Sequence, residues 1–168
     1  MMELQRIRAE AAHGGDEVND SDAGGDPGDG PDEKAPGIRV LSEAECLQLL
    51  GEHDLGRVAI VVDGQPEIFP VNYAVGVDVI AFRTAPGTKL EHAPMSRVAF
   101  EVDGIDSVHH VAWSVVVKGV ANEVTNALGR VPEAVRRLAV EPMAPGQRTH
   151  WLTVQRREMT GRRFPLAP

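Results

Sequence analysis

The sequence has few of the residues on which several common kinds of site depend. It contains a single cysteine, Cys46, among 168 residues, which excludes an intramolecular disulfide and a zinc site built from several cysteines. One lone thiol fits a reducing compartment. No segment approaches the roughly 20 consecutive apolar residues of a membrane-spanning helix, and the first residues lack the apolar core of a signal peptide. We therefore expect a soluble, cytoplasmic protein that does not contact a membrane.

Clusters of basic residues are also missing. Aromatic residues make up 4% of the chain, and no group of Lys and Arg is interleaved with them, as a nucleic-acid-binding surface requires. The formal net charge is −8, but residues 1–36 hold ten acidic and three basic side chains, so the remainder is nearly neutral. We expect neither DNA nor RNA as a partner.

The excess of acidic residues belongs to a segment with almost no apolar surface. Residues 14–36 are nearly all Gly, Asp, Glu, Pro, Ser and Asn, and Val18 is the only large apolar residue among them. Such a composition cannot offset the entropy lost on ordering, so residues 1–36 are predicted to be a disordered acidic tail. A solubilising extension and a partner-binding tail both fit this composition. The folded domain is predicted to occupy residues 37–168.

Local signals in that domain favour strands. Ser42 followed by Glu45 is a capping-box pattern and predicts a helix over 41–50, and Asp63-Gly64 between two β-rich runs predicts a hairpin. No Gly-x-Gly-x-x-Gly motif supports a dinucleotide fold. Six or seven mostly antiparallel strands with short flanking helices predict a mainly β (α+β) fold, a closed or nearly closed barrel. Beyond the hairpin, strands are predicted over 77–84, 97–102, 113–125, 149–155 and 158–164, and short helices over 85–93 and from Pro132.

One predicted strand ends in residues that suit a phosphate group. Arg83 and Thr84 precede Gly87 and Lys89. A bound phosphate needs backbone donors exposed by a glycine, a hydroxyl group and a cation, and a helix that begins at Gly87 adds amide donors. The same residues also suit an ordinary loop with solvated charges.

A second candidate is Pro70-Val71-Asn72-Tyr73, which holds the only tyrosine of the chain. Proline lacks the N–H that a central strand donates, so Pro70 indicates an edge, a bulge or a place where something other than a strand lies alongside. A flat aromatic ligand fits that place. A strand bend with a packed Tyr73 fits it equally well.

Other reactive side chains point to no catalytic or metal site. His109 and His110 are adjacent, so on a strand they would face opposite sides, and no carboxylate stands at ligand spacing from them or from His150. We predict no metal site. Cys46 is predicted to be a small core residue, because no histidine is evidently paired with it. No catalytic acid or base is assigned.

Together these segments resemble the pyridoxamine 5'-phosphate oxidase-like FMN-binding split barrels, nearest the branch that includes nitroimidazole-resistance (Nim) proteins. The resemblance rests on the order and spacing of several short motifs, since no single motif is decisive. The segments are Leu55-Gly56-Arg57-Val58-Ala59, Pro70-Val71-Asn72-Tyr73, Phe82-Arg83-Thr84-Ala85, Gly87-Thr88-Lys89-Leu90, Arg97-Val98-Ala99-Phe100, Trp113-Ser114-Val115-Val116 and Met159-Thr160-Gly161-Arg162.

The resemblance implies a split β-barrel that forms a homodimer with two FMN sites at the subunit interface. It places four segments of this chain around the cofactor. Residues expected against the isoalloxazine ring are Pro70, Val71, Asn72 and Tyr73, residues expected at the phosphate are Arg83, Thr84 and Lys89, and residues expected near the ring from a neighbouring strand are Trp113 and Ser114.

The implied activity is that of a flavin-dependent oxidoreductase or reductase acting on a small molecule. In such a protein the bound FMN transfers electrons, and the chain supplies binding and orientation. A flavin-binding or storage module without turnover is one alternative. A reductase that uses a deazaflavin is another.

Overall fold

The computed structural model describes residues 37–125, 132–142 and 145–167, so the predicted tail over 1–36 lies outside the described residues. Seven strands and three short helices fall within these ranges. In chain order they are β1 (Arg39–Val40), α1 (Glu43–Glu52), β2 (Leu55–Val62), β3 (Gln65–Gly76), β4 (Val79–Thr84), α2 (Thr88–His92), β5 (Arg97–Asp106), β6 (Val111–Glu123), α3 (Glu133–Arg136) and β7 (His150–Pro165).

The strands form one sheet that closes on itself. Their order is β1-β7-β4-β3-β2-β5-β6, and β6 also pairs with β7. This last pairing closes six strands into a barrel and leaves β1 as a short addition beside β7. Every strand pairing that the described residues make is antiparallel. The predicted mainly β split barrel with short flanking helices is thereby confirmed.

Two local sequence signals form the structures they predict. Ser42 caps α1: its side chain accepts a hydrogen bond from the Glu45 N–H at 3.4 Å, and the Glu45 carboxylate accepts one from the Ser42 N–H at 2.9 Å. Asp63 and Gly64 connect β2 to β3 with φ of 49° and 80°, the left-handed conformation that a two-residue hairpin requires. Both the helix and the hairpin are confirmed.

The prediction of two closing strands is wrong. A single strand, β7, replaces both of them. Lys118 pairs with Glu158 and Gly119 pairs with Arg156, so Arg157 is an extra residue accommodated by a β-bulge. In the sequence, the polar pair Arg156-Arg157 is typical of a turn between two strands. In the structure, Arg157 is the extra residue of the bulge, and the strand continues past it.

The main core fills the barrel and the space beneath α1. Its largest fully buried side chains include Phe82, Phe100 and Ile60 from the strands and Leu50 from the helix. Cys46 of α1 is also buried, and burial raises the pKa of its thiol. This confirms Cys46 as a core residue.

A second apolar cluster lies on the outer face of the sheet. Val140 packs there with Ala81 of β4 and Trp151 of β7, and Val135 and Leu138 pack against them. This cluster attaches α3 and the residues that follow it to the barrel. It thereby brings the chain before β7 toward the end of β4.

Candidate flavin-binding pocket

A pocket of about 320 Å³ lies where the start of β2, the middle of β3 and the end of β4 meet. Its volume falls in the range of small-molecule sites. Four of the eight described residues that line it are apolar, one carries an amide, and three carry a positive charge. The lining consists of Leu55, Pro70, Val71, Asn72, Arg83, Lys89, Pro142 and Arg148.

All the charge on the described lining is positive. Of the described residues that line the pocket, Arg83, Lys89 and Arg148 are the charged ones, and none is a carboxylate. Among the described residues, no Asp or Glu forms an ion pair with any of the three. Three cations that lack a counterion in the described part of the chain favour an anionic ligand.

Lys89 reaches the pocket from α2 and is half-buried. Its Nζ lies 4.5 Å from the centroid of the Phe69 ring, a cation–π distance. Burial lowers the pKa of Lys89, and the positive charge of Arg148 lowers it further. The two cations are therefore close enough to repel each other, and an anion between them would relieve that repulsion.

Arg83 is held by two neighbours. Its Nε donates a 2.9 Å hydrogen bond to the carbonyl oxygen of Arg148, and its Cζ lies 5.5 Å from the centroid of the Trp151 ring. Arg83 and Trp151 are paired residues of β4 and β7, so their side chains leave the same face of the sheet. The Arg83 side chain thus links the pocket to the loop before β7.

The loop between β4 and α2 turns sharply at Gly87. Its φ is 133°, a conformation that residues with a side chain rarely adopt. The carbonyl oxygen of Gly87 accepts hydrogen bonds from the N–H groups of Leu90 and Glu91, which starts α2. This turn places Lys89 opposite the end of β4.

Five of the nine residues predicted for the cofactor site line the pocket together. They come from two separate segments, β3 and the region from β4 to α2, that the hairpin and the sheet bring into contact. The five are Pro70, Val71, Asn72, Arg83 and Lys89.

Tyr73 and Thr84 lie beside the pocket but face the core. The Tyr73 hydroxyl donates a 2.7 Å hydrogen bond to the carbonyl oxygen of Leu50, and its ring packs against Phe100 at 4.8 Å between centroids. Thr84 is 2% exposed, and its hydroxyl donates to the Ala85 carbonyl oxygen. The expected contacts of these two side chains with a cofactor differ from this arrangement, because both hydroxyl groups are bonded to backbone carbonyl oxygens away from the pocket.

Trp113 and Ser114 lie on β6 and do not line the pocket of this chain. Trp113 is buried, its ring is 4.8 Å from that of His53, and it fills the space above Gly104. Ser114 is the next residue, so its side chain leaves the opposite face of the sheet. Any contact between these two residues and a ligand requires a different surface from the pocket described above.

Arg148 is a pocket residue that the sequence did not reveal. It stands in a loop without a recognisable motif and reaches the pocket only because β7 pairs with β4. Pro142 was missed because it too belongs to the segment before β7. Leu55 was also missed, although it lies in the pocket through its pairing with Asn72 in the predicted β2–β3 hairpin.

The histidines differ in part from the prediction. His109 and His110 lie in the turn between β5 and β6 and not on a strand, and His110 has a φ of 50°. His109 pairs with Asp106 at 2.6 Å, and His150 pairs with Glu123 at 2.8 Å. Within the ranges that the structure describes, no three His, Cys, Asp or Glu residues are grouped to hold a metal ion.

No helix within the described ranges is long and apolar enough to cross a membrane.

The chain is similar in sequence to a known protein family and to a mycobacterial protein. Residues 42–163 match the protein family described as pyridoxamine 5'-phosphate oxidase. An uncharacterized protein of Mycobacterium tuberculosis is 36% identical over 103 residues, which are 58% of this chain and 64% of that protein. The chain therefore spans less than two thirds of the length of this relative.

Solved structures share both sequence and fold with the chain. An FAD-binding protein of Mycobacterium smegmatis is 36% identical with a TM-score of 0.56, and the match covers 76% of this chain and 98% of that one. A Corynebacterium glutamicum protein, provisionally described as a pyridoxamine 5'-phosphate oxidase, is 32% identical with a TM-score of 0.66. That match covers 80% of this chain and 98% of the other.

Proposed function

Because the chain belongs to the pyridoxamine 5'-phosphate oxidase family, as its sequence motifs predicted, we propose that it binds a flavin nucleotide in the pocket between β3, β4 and α2. We propose further that it acts as a flavin-dependent oxidoreductase on a small molecule. The observation that carries the proposal is a set of three cations, without an ion-pair partner among the described residues, beside an apolar strand segment.

The residues of the pocket fit the two parts of a flavin nucleotide. Lys89 and Arg148 supply positive charge for the phosphate group, which carries nearly two negative charges at neutral pH. Leu55 and Pro70, which are exposed, offer apolar surface for a flat ring, and Pro70 has no backbone N–H that the ring would leave unpaired.

A bound flavin supplies the electron or hydride transfer, and the chain supplies binding, orientation and charge. None of the described residues that line the pocket carries a carboxylate or an imidazole, and none of them is assigned as an acid or base. Lys89 and Arg148 would hold the phosphate end of the cofactor through their positive charge.

FMN is the proposed form of the cofactor, because its single phosphate matches the small cationic region. The Mycobacterium smegmatis relative is an FAD-binding protein, so FAD is the first alternative, and a deazaflavin is the second. Titration with FMN, FAD and a deazaflavin, followed by flavin fluorescence, separates the three. Tightest binding of FAD or of the deazaflavin would correct the proposed cofactor without removing the pocket.

A homodimer would complete the site. Trp113 and Ser114, which lie outside the pocket of their own chain, are proposed to approach the ring at the subunit interface. Support for an interface comes from Val61 and Ile68, which are 56% and 66% exposed on the outer face of the β2–β3 hairpin. Large apolar side chains grouped on a surface mark interaction sites.

The absorbance spectrum of the purified protein, before and after addition of FMN, tests the central proposal. Bound oxidised flavin should give a structured visible spectrum and a quenched fluorescence. A protein that binds neither FMN nor FAD at micromolar concentration would contradict the proposal. Reduction of the bound flavin by a nicotinamide donor, followed by reoxidation with an added small-molecule acceptor, would distinguish an oxidoreductase from a flavin-storage module.

A further inference from the structure

The loop before β7 is attached to β4 by a side chain at the point where the backbone pairing stops. The last pair of the β4–β7 ladder is Thr84 with His150. Beyond that pair, the Nε of Arg83 donates its 2.9 Å hydrogen bond to the carbonyl oxygen of Arg148. The Arg83 side chain therefore continues the attachment for two residues past the end of the ladder.

The anchor for this side chain is rigid. The Arg83 guanidinium lies over the ring of Trp151, which is 7% exposed and belongs to the outer apolar cluster. The backbone N–H of Trp151 donates a 2.8 Å hydrogen bond to the Thr125 hydroxyl, and the backbone N–H of Val124 donates to the Trp151 carbonyl oxygen at 3.0 Å. A guanidinium held over such a ring has little freedom to follow a ligand.

From this geometry we propose that Arg83 is a positioning residue, and that the phosphate-contacting arginine of the pocket is Arg148, together with Lys89. The inference deepens the proposed function and rests on it. It reverses the expectation from the resemblance, in which Arg83 itself approaches the phosphate.

The charges explain why Arg148 needs to be held. Arg148 and Lys89 lie close enough for the charge of Arg148 to lower the pKa of Lys89. In the absence of an anion this repulsion favours a loop that moves Arg148 away from Lys89. The hydrogen bond from Arg83 opposes that movement and keeps two cations ready for one phosphate, which lowers the cost of ordering on binding.

Substitutions that keep the positive charge distinguish a residue that contacts the phosphate from one that positions Arg148. Lysine keeps the charge at either position but lacks the planar Nε–H donor and the flat face that rests on Trp151. The dissociation constants of FMN and of riboflavin, which lacks the phosphate, are measured for Arg148→Lys, Arg148→Gln, Arg83→Lys, Arg83→Gln and the double variant Arg83→Gln/Arg148→Gln. Arg157→Gln, at the exposed bulge of β7, is the matched control.

The variants are compared by their preference for FMN, which is the dissociation constant of riboflavin divided by that of FMN. Arg148→Gln should reduce it about tenfold to a hundredfold, the usual effect of losing a hydrogen bond to a charged group, and Arg148→Lys should retain most of it. Arg83→Lys should lose as much preference as Arg83→Gln. The double variant should lose no more than Arg148→Gln alone, because Arg83 acts through Arg148.

Two results would overturn the inference while leaving the proposed function intact. One is an Arg83→Lys variant that keeps the wild-type preference for FMN while Arg83→Gln loses it. The other is a double variant whose loss equals the product of the two single losses. A wild-type protein that binds FMN and riboflavin equally would instead refute the phosphate pocket itself, and riboflavin binding that survives in each variant shows that the fold is intact.

Discussion

The Tyr73 hydroxyl donates a hydrogen bond to the backbone carbonyl oxygen of Leu50, across the interface between β3 and the last turn of α1. The bond joins the helix that covers one end of the barrel to the strand that forms the pocket wall. Tyr73 therefore serves the stability of the pocket, while its neighbours Val71 and Asn72 line the pocket itself.

Replacement of Tyr73 by phenylalanine should lower the stability of the protein and leave its affinity for the cofactor nearly unchanged. The change leaves the buried Leu50 carbonyl without its partner, which costs about 1–3 kcal/mol. The free energy of unfolding in urea should fall by that amount, whereas the dissociation constant of FMN should change less than about twofold, within ordinary scatter. A variant with full stability and poor FMN binding would show that Tyr73 contacts the cofactor after all.

Tyr73 should also make the free energy of unfolding depend on pH in the alkaline range. Burial, and to a smaller extent the negative charge of Asp54, raise the pKa of Tyr73 above its ordinary value. The folded state therefore favours the neutral phenol, and this contribution is complete below the unfolded pKa of about 10 and is lost at higher pH. Wild type should lose stability faster than Tyr73→Phe above about pH 10, as measured by urea unfolding across that range.

Replacement of Lys89 by alanine should weaken FMN binding by about tenfold to a hundredfold, since a charged partner of the phosphate is lost. Riboflavin binding should stay nearly constant. Lys118→Ala is the control, because Lys118 pairs with Glu158 on the outer surface of the barrel. Equal losses for both ligands in Lys89→Ala would mean that the substitution damages the fold, and the phosphate role would have to be abandoned.

Alanine substitutions at Gly119 and Gly51 should change the stability of the protein in opposite directions. A Cβ at Gly119 would overlap the carbonyl oxygen of Gln155, which is backbone at the β6–β7 bulge and cannot move aside cheaply. A Cβ at Gly51, in α1, would meet nothing within 4 Å. Gly119→Ala should destabilise by about 1–3 kcal/mol. Gly51→Ala should stabilise by about 0.5–1 kcal/mol. The melting temperatures of the two variants check this. If both variants shift by a similar amount in the same direction, the close packing of β6 on β7 is contradicted.

Removal of residues 1–36 should leave the melting temperature and FMN affinity of the remaining chain unchanged. That segment has too little apolar surface to contribute to a core. Differential scanning calorimetry and an FMN titration on both lengths test this. A marked fall in melting temperature would show that the tail packs on the barrel.

The protein should sediment as a dimer, and Ile68→Glu should shift it toward monomer. A charge at Ile68 would be buried without a partner if the outer face of the hairpin is the interface. FMN affinity should fall together with dimerisation. Val77→Glu, at a residue 92% exposed in the turn after β3, is the control. A wild-type monomer that binds FMN tightly would remove the dimer from the proposal.

The sequence predicted best where the signal was local. The capping box of Ser42 and Glu45 and the turn at Asp63-Gly64 each depend on residues within a few positions of one another, and both formed as expected. Arg148 could not be found in this way, because its place in the pocket depends on β7 pairing with β4 across 65 residues. The inward direction of Tyr73 was equally hidden, since Pro70 allowed either a ligand or a strand bend at that segment.

The barrel also constrains how the chain can fold. Its final strand, β7, pairs with β1, β4 and β6, so the hydrogen bonds that close the cylinder form only when this strand is available. Until β7 has been synthesised, the edges of β4 and β6 stay open and the core stays exposed. Contacts between residues so far apart in sequence should make folding slow, with the barrel closing late.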